Sequence, residues 1–351
     1  MKHTIEIVQP GIANTVQDGG RRGFRQFGVP LAGAADAVLL ASANGLLGNA
    51  PDTAALEMPL AGPSLRATDG PVRLALAGSV TAKLLRGDGT RFDIGSAQTL
   101  TLRRGDALNI GAVRAGVAYL ALAGGWRVPL QLGSRSTYAR ARLGGVAGRA
   151  LAAGDRIDCG APAGDLGVEW RAAAAFVHDD GPIRVLLGPQ DDAFEAEALA
   201  TLLREPYRVG RDSDRMGLRL EGPALQHRSS ADIVSDGIAP GAIQVPGNGL
   251  PIVLLADAQT VGGYTKIATV IRADLPRLAH ARSGTELRFA AVTRAQALAA
   301  LHEQARALER WLRLVVPYRL PGSIDLEALR DHNLVSGVVD AASGRLGWED
   351  A

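Results

Sequence analysis

The residues best suited to chemistry gather between Ser235 and Lys266. Ser235, Asp236, Gln244, Asp257, Gln259, Thr260, Tyr264 and Lys266 all fall in this one stretch. Its second half, "PIVLLADAQTVGGYTK", starts as an apolar, β-branched strand. It then turns, within a few residues, to carboxylate, amide, hydroxyl, paired glycines, phenol and ammonium. A lysine beside carboxylates and a tyrosine can carry a proton or clamp an anion. The alternative is a lysine held in a salt bridge at a strand start. By residue type, Asp236 and Asp257 are candidates for proton handling, Tyr264 for orientation and Lys266 for anion contact. Gly262 and Gly263 would let the backbone approach a ligand closely, with N–H groups free for an anion. "GAIQVPGNGLPIVLLAD" reads as a β hairpin. Its ends should meet, bringing Ser235 and Asp236 close to Asp257 and to "TVGGYTK" as a loop.

Four further segments set polar groups beside glycine. Residues 15–36 carry Gln17, Asp18, Arg21 and Arg22; the alternative there is a surface turn capped by Asp. Residues 124–145 offer a guanidinium and hydroxyls on Ser134, Arg135, Ser136, Thr137 and Tyr138. Arginine binds carboxylate and phosphate through two parallel hydrogen bonds. The run is not G-x-S-x-G, so no nucleophile elbow is expected; a polar strand edge is the alternative. Residues 209–223 hold Asp212, Asp214 and Arg215, which suit a structural ion pair or the orientation of a substrate carboxyl. Residues 186–194, "LLGPQDDAF", lead from a strand into a helix start. Asp191 and Asp192 would already occupy the helix dipole there, so capping is the preferred reading over anion binding.

Composition excludes several classes. Aromatics make up 4% of the 351 residues, too few for a single-strand nucleic-acid stacking platform. The formal charge of +2 shows no basic cluster. Lysine occurs only at Lys2, Lys83 and Lys266, and none lies in a Walker A or S-x-x-K pattern. Cys159 is the single cysteine, which excludes an intrachain disulfide and cysteine zinc clusters. The six histidines are scattered without H-x-H or H-E-x-x-H, so no metal site is expected. The N-terminus lacks an apolar h-region and no apolar run is long enough to span a bilayer, which makes a cytoplasmic protein the expectation.

The elements that must position these residues are mainly strands. "TIEIV", "VRLALAG", "GVAYLALAGG", "IRVLLG" and "IVLLA" alternate with glycine-rich turns. Helices are expected at 33–49, ending at Gly48 and Asn49, at 191–203, and over "TRAQALAALHEQARALERWLRLVV", with Thr293 and Gln296 as a capping box. A strand, helix and "GPSL" in the first half are echoed by a strand, helix and "GPAL" in the second. "LRRGDALNI", "LAAGDRIDC" and "ARSGTELRF" repeat a glycine turn feeding a short strand, as a barrel rim requires. The expected organisation is a β lobe over 1–165, a second over 175–292, a helix over 293–316, and a tail over 317–351 with no assigned role.

Taken together, "TVQDGGRRGFRQFGVPLAGAAD", "LGSRSTY", "GPQDD", "SDRMGLRLEGP" and the run from Ser235 to Ala279 resemble the allophanate hydrolase subunit 2, or biotin-dependent carboxyltransferase-like, family. The resemblance covers about 5–292. That family includes the C-type subunit of bacterial 5-oxoprolinase, the antagonist of a sporulation kinase inhibitor, and part of the carboxyltransferase region of urea carboxylase. It implies two cyclophilin-like β-barrel lobes plus a C-terminal helix. It implies a partner of the allophanate hydrolase subunit 1 type, which is the B-type subunit of 5-oxoprolinase. It also implies a third protein of the lactam-utilisation type, the A-type subunit, which completes an ATP-dependent enzyme. That enzyme opens 5-oxoproline to glutamate: phosphorylation of the carbonyl oxygen makes a leaving group and lets water attack. Groups that hold a carboxylate and a developing oxyanion serve such a step, so Arg135, Arg215 and Lys266 are the candidate anion contacts. The motif positions Gln17, Asp18, Arg21, Ser134, Ser136, Thr137, Asp214, Gln244, Gln259, Thr260, Gly262 and Gly263 would line the substrate site. Met-Lys-Met, the biotin acceptor, is missing, so covalent biotin is not expected here, and ATP would be shared with the partners. The other readings are a regulator that sequesters a kinase inhibitor and a carboxyltransferase component in urea or allophanate metabolism.

Overall fold

A computed structural model describes residues 2–164 and 166–320, together with a pair of two-residue strands, Val338–Val339 and Leu346–Gly347. The described residues are mainly β, with four α-helices.

The first half builds two antiparallel sheets around one core. One sheet runs in the order Arg156–Asp158, Thr4–Gln9, Ser64–Asp69, Ala107–Ile110, Ala82–Leu85, Arg91–Ile94. The other runs Thr15–Gln17, Ala55–Met58, Ala118–Leu122, Val72–Ala77, Gln98–Leu102, Glu169–Arg171, Val316–Tyr318. The period-two alternation of the second sheet fixes what each face does. Leu56, Met58, Leu74, Leu76, Leu120 and Leu122 point into the shared core. Ala55, Ala77, Tyr119 and Ala121 point the other way, against helix α1 (Ala37–Leu46). The small residues let α1 lie close. The same alternation sends Glu57 and Tyr119, paired across neighbouring strands, to the outer face beside the start of α1.

The second half forms one eight-stranded sheet, in the order Glu286–Leu287, Tyr207–Val209, Gly217–Glu221, Ile252–Leu254, Ala242–Gln244, Lys266–Val270, Ile183–Leu187, Phe289–Ala291. Its own core includes Val185, Phe194, Leu202, Tyr207, Ile243, Val253 and Ile267. Helix α2 (Ala196–Arg204) supplies Ala198 and Leu202 to that core, and the one-turn helix α3 (Leu275–Leu278) supplies Leu278.

The expected hairpin is present, with Ile243 opposite Val253. The three glycine turns are alike in structure too. Gly105, Gly154 and Gly284 have φ of +91°, +86° and +87°. Each returns its N–H to a neighbouring strand, at Ala67, Ile7 and Val209 respectively. The left-handed backbone is what restricts these positions to glycine.

Element ends depart from the sequence reading. Helix α1 starts at Ala37, because Asp36 accepts from the Val38 and Leu39 N–H groups and fixes the start there. The helix expected at 191–203 is split: Asp191–Ala193 form a 3-10 turn and α2 begins at Ala196. Asp191 and Asp192 therefore do not cap it. Helix α4 (Arg294–Arg313) has the expected capping box but stops three residues early. Pro317, the first residue of the expected tail, sits inside the strand Val316–Tyr318, which closes one edge of the first half's sheet against Glu169–Arg171. An edge strand tolerates proline because one side of it has no ladder to feed. The remainder of the tail, past 320, lies outside the described residues except for the two short strands.

Candidate functional site

The candidate residues separate into three places. The first joins the two halves. Arg215 precedes the strand Gly217–Glu221, and Asp257 follows Ile252–Leu254, whose ladder is continued by Asp257 N–H donating to the Arg215 carbonyl at 3.0 Å. The Arg215 guanidinium donates to both oxygens of Asp257, at 3.0 and 3.1 Å. It also donates to Glu57 and, at 2.6 Å, to the carbonyl of Gly33. The second oxygen of Glu57 accepts from the Tyr119 hydroxyl at 2.5 Å and the Ala35 N–H at 2.8 Å. Burial pulls the Arg215 guanidinium down, but Glu57 and Asp257 more than offset it and push it up. Burial and the Glu57 charge push the Tyr119 phenol well up. Arg215 and Asp257 therefore spend their polar atoms on each other and on the first half. This geometry suits a rigid joint, with both Asp257 oxygens engaged by Arg215.

The second place is a buried cradle around Asp18. Its Oδ1 accepts from the hydroxyls of Ser134 and Ser136, both at 2.5 Å, and from the Gly20 N–H at 2.9 Å. Its Oδ2 accepts from the Arg135 N–H at 2.6 Å. Thr137 donates to the Val16 carbonyl, and Gln17 to the Thr137 carbonyl. The hydroxyls of this run are thus engaged inside the protein, the two serines by Asp18 and Thr137 by the Val16 carbonyl. Ser134, Ser136 and Thr137 are buried. Arg21 is wholly buried and donates to the Ser136 carbonyl. Burial lowers its pKa, with Asp18 and Asp257 pulling the other way. Its Nε and Nη1, and Oε1 of Gln17, have no hydrogen-bond partner among the described residues. Asp18 and Arg135 border a cavity of about 850 Å³ that Arg22 and Arg127 also line.

The third place holds Lys266. Among the described residues, strand Asp232–Gly237 pairs only with Val261–Tyr264, forming a two-stranded ribbon separate from the larger sheet. "TVGGYTK" is therefore strand and not loop. Gly262 lies opposite Asp236, and neither Gly262 nor Gly263 has a positive φ. A Cβ on Gly262 would come within 2.7 Å of Ile238 Cδ1 and 2.9 Å of Gln244 Nε2. That glycine makes room for the protein's own side chains, which corrects the expectation of an anion nest.

Lys266 is 2% exposed, and its Nζ donates to Asp236 Oδ2 at 3.0 Å. Gln190 fixes the lysine backbone, its Oε1 accepting the Lys266 N–H at 3.1 Å. The side chain of Asp236 is 54% exposed, so this pair joins a buried cation to the surface. The Lys266 hydrogen bond, followed by the Gly237 N–H, holds the Asp236 carboxyl below its usual range. Gln244, Gln259 and Tyr264 line a neighbouring cavity of about 620 Å³ with Asp214. Arg140 enters the same cavity from the first half and pairs with Asp214 at 3.3 Å. Thr260 is buried, and its carbonyl accepts from the Ile238 N–H.

Sequence reasoning misses Glu57, Tyr119, Asp36, His178 and His280. A carboxylate inside the otherwise apolar "AALEM" is the available signal for Glu57, since charge in a buried strand demands a partner. The two histidines give no local signal. Both place Nε2 against Asp36 Oδ2, at 2.6 and 2.8 Å.

Two barrel-like sheet systems are joined by a buried Arg–carboxylate network, and a lysine–aspartate pair links the ribbon to the larger sheet. The chain belongs to the family described as "Carboxyltransferase domain, subdomain A and B", whose model matches residues 27–291. It is 37% identical to the C-type subunit of 5-oxoprolinase from Escherichia coli over 311 residues, which is 87% of this chain and 97% of that protein. It is 30% identical to the urea amidolyase of Lachancea kluyveri over 333 residues, 87% of this chain but 18% of that one. The crystal structure of the Kluyveromyces lactis urea carboxylase superposes with a TM-score of 0.78 at 27% identity, covering 92% of this chain and 32% of the other. The chain thus corresponds to about a third of that larger enzyme's length.

Proposed function

We propose that this chain is the carboxyltransferase-like subunit of an ATP-dependent 5-oxoprolinase, acting in a cytoplasmic complex with an allophanate hydrolase subunit 1-type partner and a lactam-utilisation-type partner. The observation that carries the reading is the likeness to the C-type subunit of 5-oxoprolinase across 97% of that protein. The ribbon edge is compatible with it. Lys266 supplies a fixed positive charge with a single acidic partner among its hydrogen bonds, and that partner is the exposed one. A substrate carboxylate or developing oxyanion would reach the ammonium from the Asp236 side. Asp236 would then be placed to take or return a proton. Tyr264, half exposed and lining the adjoining cavity with Gln244 and Gln259, would orient the ring.

We propose that ATP is shared with the partner subunits. The first-turn N–H groups of α1 and α4 bond to Asp36 and Thr293, and neither terminus is available as a phosphate cradle.

Reconstitution of the chain with both partner subunits should release glutamate from 5-oxoproline in an ATP-dependent manner. A folded complete complex without turnover would overturn the assignment. The likeness to urea carboxylase motivates a second reading, a carboxyltransferase served by a separate biotin carrier. Recovery of a biotinylated chain with the purified complex, and carboxyl transfer from it, would favour that reading. A regulator that sequesters a kinase inhibitor would bind its partner without needing Lys266.

A further inference from the structure

His178 and His280 converge on a single carboxylate oxygen although they arrive from different parts of the chain. Asp36 caps α1, His178 lies in the connection between the two halves, and His280 follows α3. The three candidate ligand atoms, two Nε2 and Oδ2, lie within 4.8 Å of one another. Asp36 is wholly buried. Its Oδ1 is occupied by the Val38 and Leu39 N–H groups, and its own N–H donates to the Tyr119 hydroxyl at 3.0 Å. Only Oδ2 is therefore presented to the histidines, at a fixed position.

The rings are held as well. His280 packs over Gly116, where any Cβ would overlap its Nδ1. His178 packs edge-on against Phe176 with centroids 5.5 Å apart, and Phe176 in turn meets Trp311 of α4 at 6.3 Å. Both histidines line a cavity of about 930 Å³, together with Asp179 and Asp180. Arg277 lines it too, but is engaged by Asp274 and by the carbonyls of Gly181 and Pro182.

Two imidazoles and one carboxylate are the nitrogen–oxygen set that suits borderline divalent ions of the first transition row. Without a metal ion, both rings would carry their proton on Nε2 and donate to the one oxygen, at 2.6 and 2.8 Å. A metal ion instead takes the lone pairs of both Nε2 atoms and the charge of Oδ2. It also leaves both Nδ1–H groups to outer partners. We propose that Asp36, His178 and His280 form a binding site for a first-row divalent metal ion, of which zinc is the representative. The ion would tie the first half of the chain to the second at the wall of this cavity. Three protein ligands leave room for water, or for a carboxylate entering from the cavity, to complete the coordination.

The test reads metal binding directly on the purified chain and does not depend on 5-oxoproline turnover. Protein stripped with a chelator is titrated with Co²⁺ and then with Zn²⁺. The expected result is a visible d–d absorption that saturates at one equivalent, is displaced by zinc, and accompanies a higher Tm with zinc than with chelator. His178→Gln and His280→Gln should each lower the affinity by about 100-fold, on the scale of losing a metal-site ligand or its support. His302→Gln, on the exposed face of α4, should leave it unchanged. Circular dichroism establishes that the variants are folded. If either is not, the wild-type titration decides alone. Absence of a saturable cobalt band, or a band that persists in a folded double variant, overturns the site and leaves a hydrogen-bonded latch.

Discussion

Arg215 and Glu57 stand 158 positions apart in the chain and form an ion pair across the junction of its two halves. Each is secured from behind, Arg215 by Asp257 and Glu57 by Tyr119. Removing the arginine would leave two carboxylates without their cation in a setting that water reaches poorly. The cost of breaking such a buried pair from one side is about 3–5 kcal/mol. Arg215→Ala should therefore lower the urea midpoint steeply, and Arg215→Met with Glu57→Gln together should recover part of the loss. A double variant destabilised by the sum of its two single variants would show that the pair does not couple.

That network also marks where the sequence stops being informative. The capping box at Thr293, the hairpin from Ala242 to Leu254 and the three glycine turns are all legible. Each depends on residues within a few positions of one another, where backbone geometry and spacing carry the signal. Arg215 and Asp257 stand out in the sequence, but as substrate and proton groups. Glu57 is needed to see them as a joint, and nothing local connects it to position 215. Asp36, His178 and His280 escape notice for the same reason, since the contacts span 142 and 244 positions. Such contacts are products of topology, and periodicity does not encode them. The serine-rich strip 134–137 is polar, as its residues announce, but it is not open. Asp18, more than a hundred positions away, takes the Ser134 and Ser136 hydroxyls, and the Val16 carbonyl takes that of Thr137.

The two glycines of the ribbon should respond differently to substitution. A Cβ on Gly262 meets Ile238 Cδ1 at 2.7 Å and Gln244 Nε2 at 2.9 Å, whereas on Gly263 the nearest atom is the Ile233 carbonyl oxygen at 3.3 Å. Both residues have ordinary extended backbone, so strain in φ is not involved. Gly262→Ala must push two side-chain ends aside, at an overpacking cost of about 1–3 kcal/mol. Gly263→Ala requires only a small adjustment. Differential scanning calorimetry should place the Tm of Gly262→Ala below that of Gly263→Ala. The reverse order would mean that the ribbon is not packed as described.

Cys159 should be chemically silent in the folded protein. It is 3% exposed, and burial pushes its thiol up to about 12. The thiolate is the reactive species, so at pH 8 the native thiol has neither the charge nor the access to react. Iodoacetamide should label it only after denaturant is added, at a rate set by unfolding. Prompt labelling of native protein at pH 8 would contradict the burial.

Lys266 is the residue whose loss should separate catalysis from folding. Its ammonium bonds to Asp236, whose side chain is 54% exposed. Removing the ammonium leaves Asp236 hydrated, but Lys266 is itself buried, so Lys266→Ala also leaves a cavity and should lower stability, whereas Lys266→Met keeps the buried stem and should lower it less. The charge the lysine would offer an anion under the proposed function is lost entirely. Lys266→Ala should therefore reduce glutamate release by about 100-fold or more, on the scale of removing one oxyanion donor. Partner affinity should stay unchanged. The Asp236 carboxyl is held below its usual range by this lysine. Its contribution to stability is present above the unfolded value, near 3.9, and is lost as the pH falls through the lower folded value. Between pH 5 and 8 the pair stays ionised on the Asp236 side, so its own titration gives the turnover profile no acidic limb in that window. In Lys266→Ala the Asp236 carbon resonance should titrate at higher pH than in wild type. A variant that keeps full turnover in an intact complex would remove Lys266 from the chemistry and favour a protein that works by binding alone.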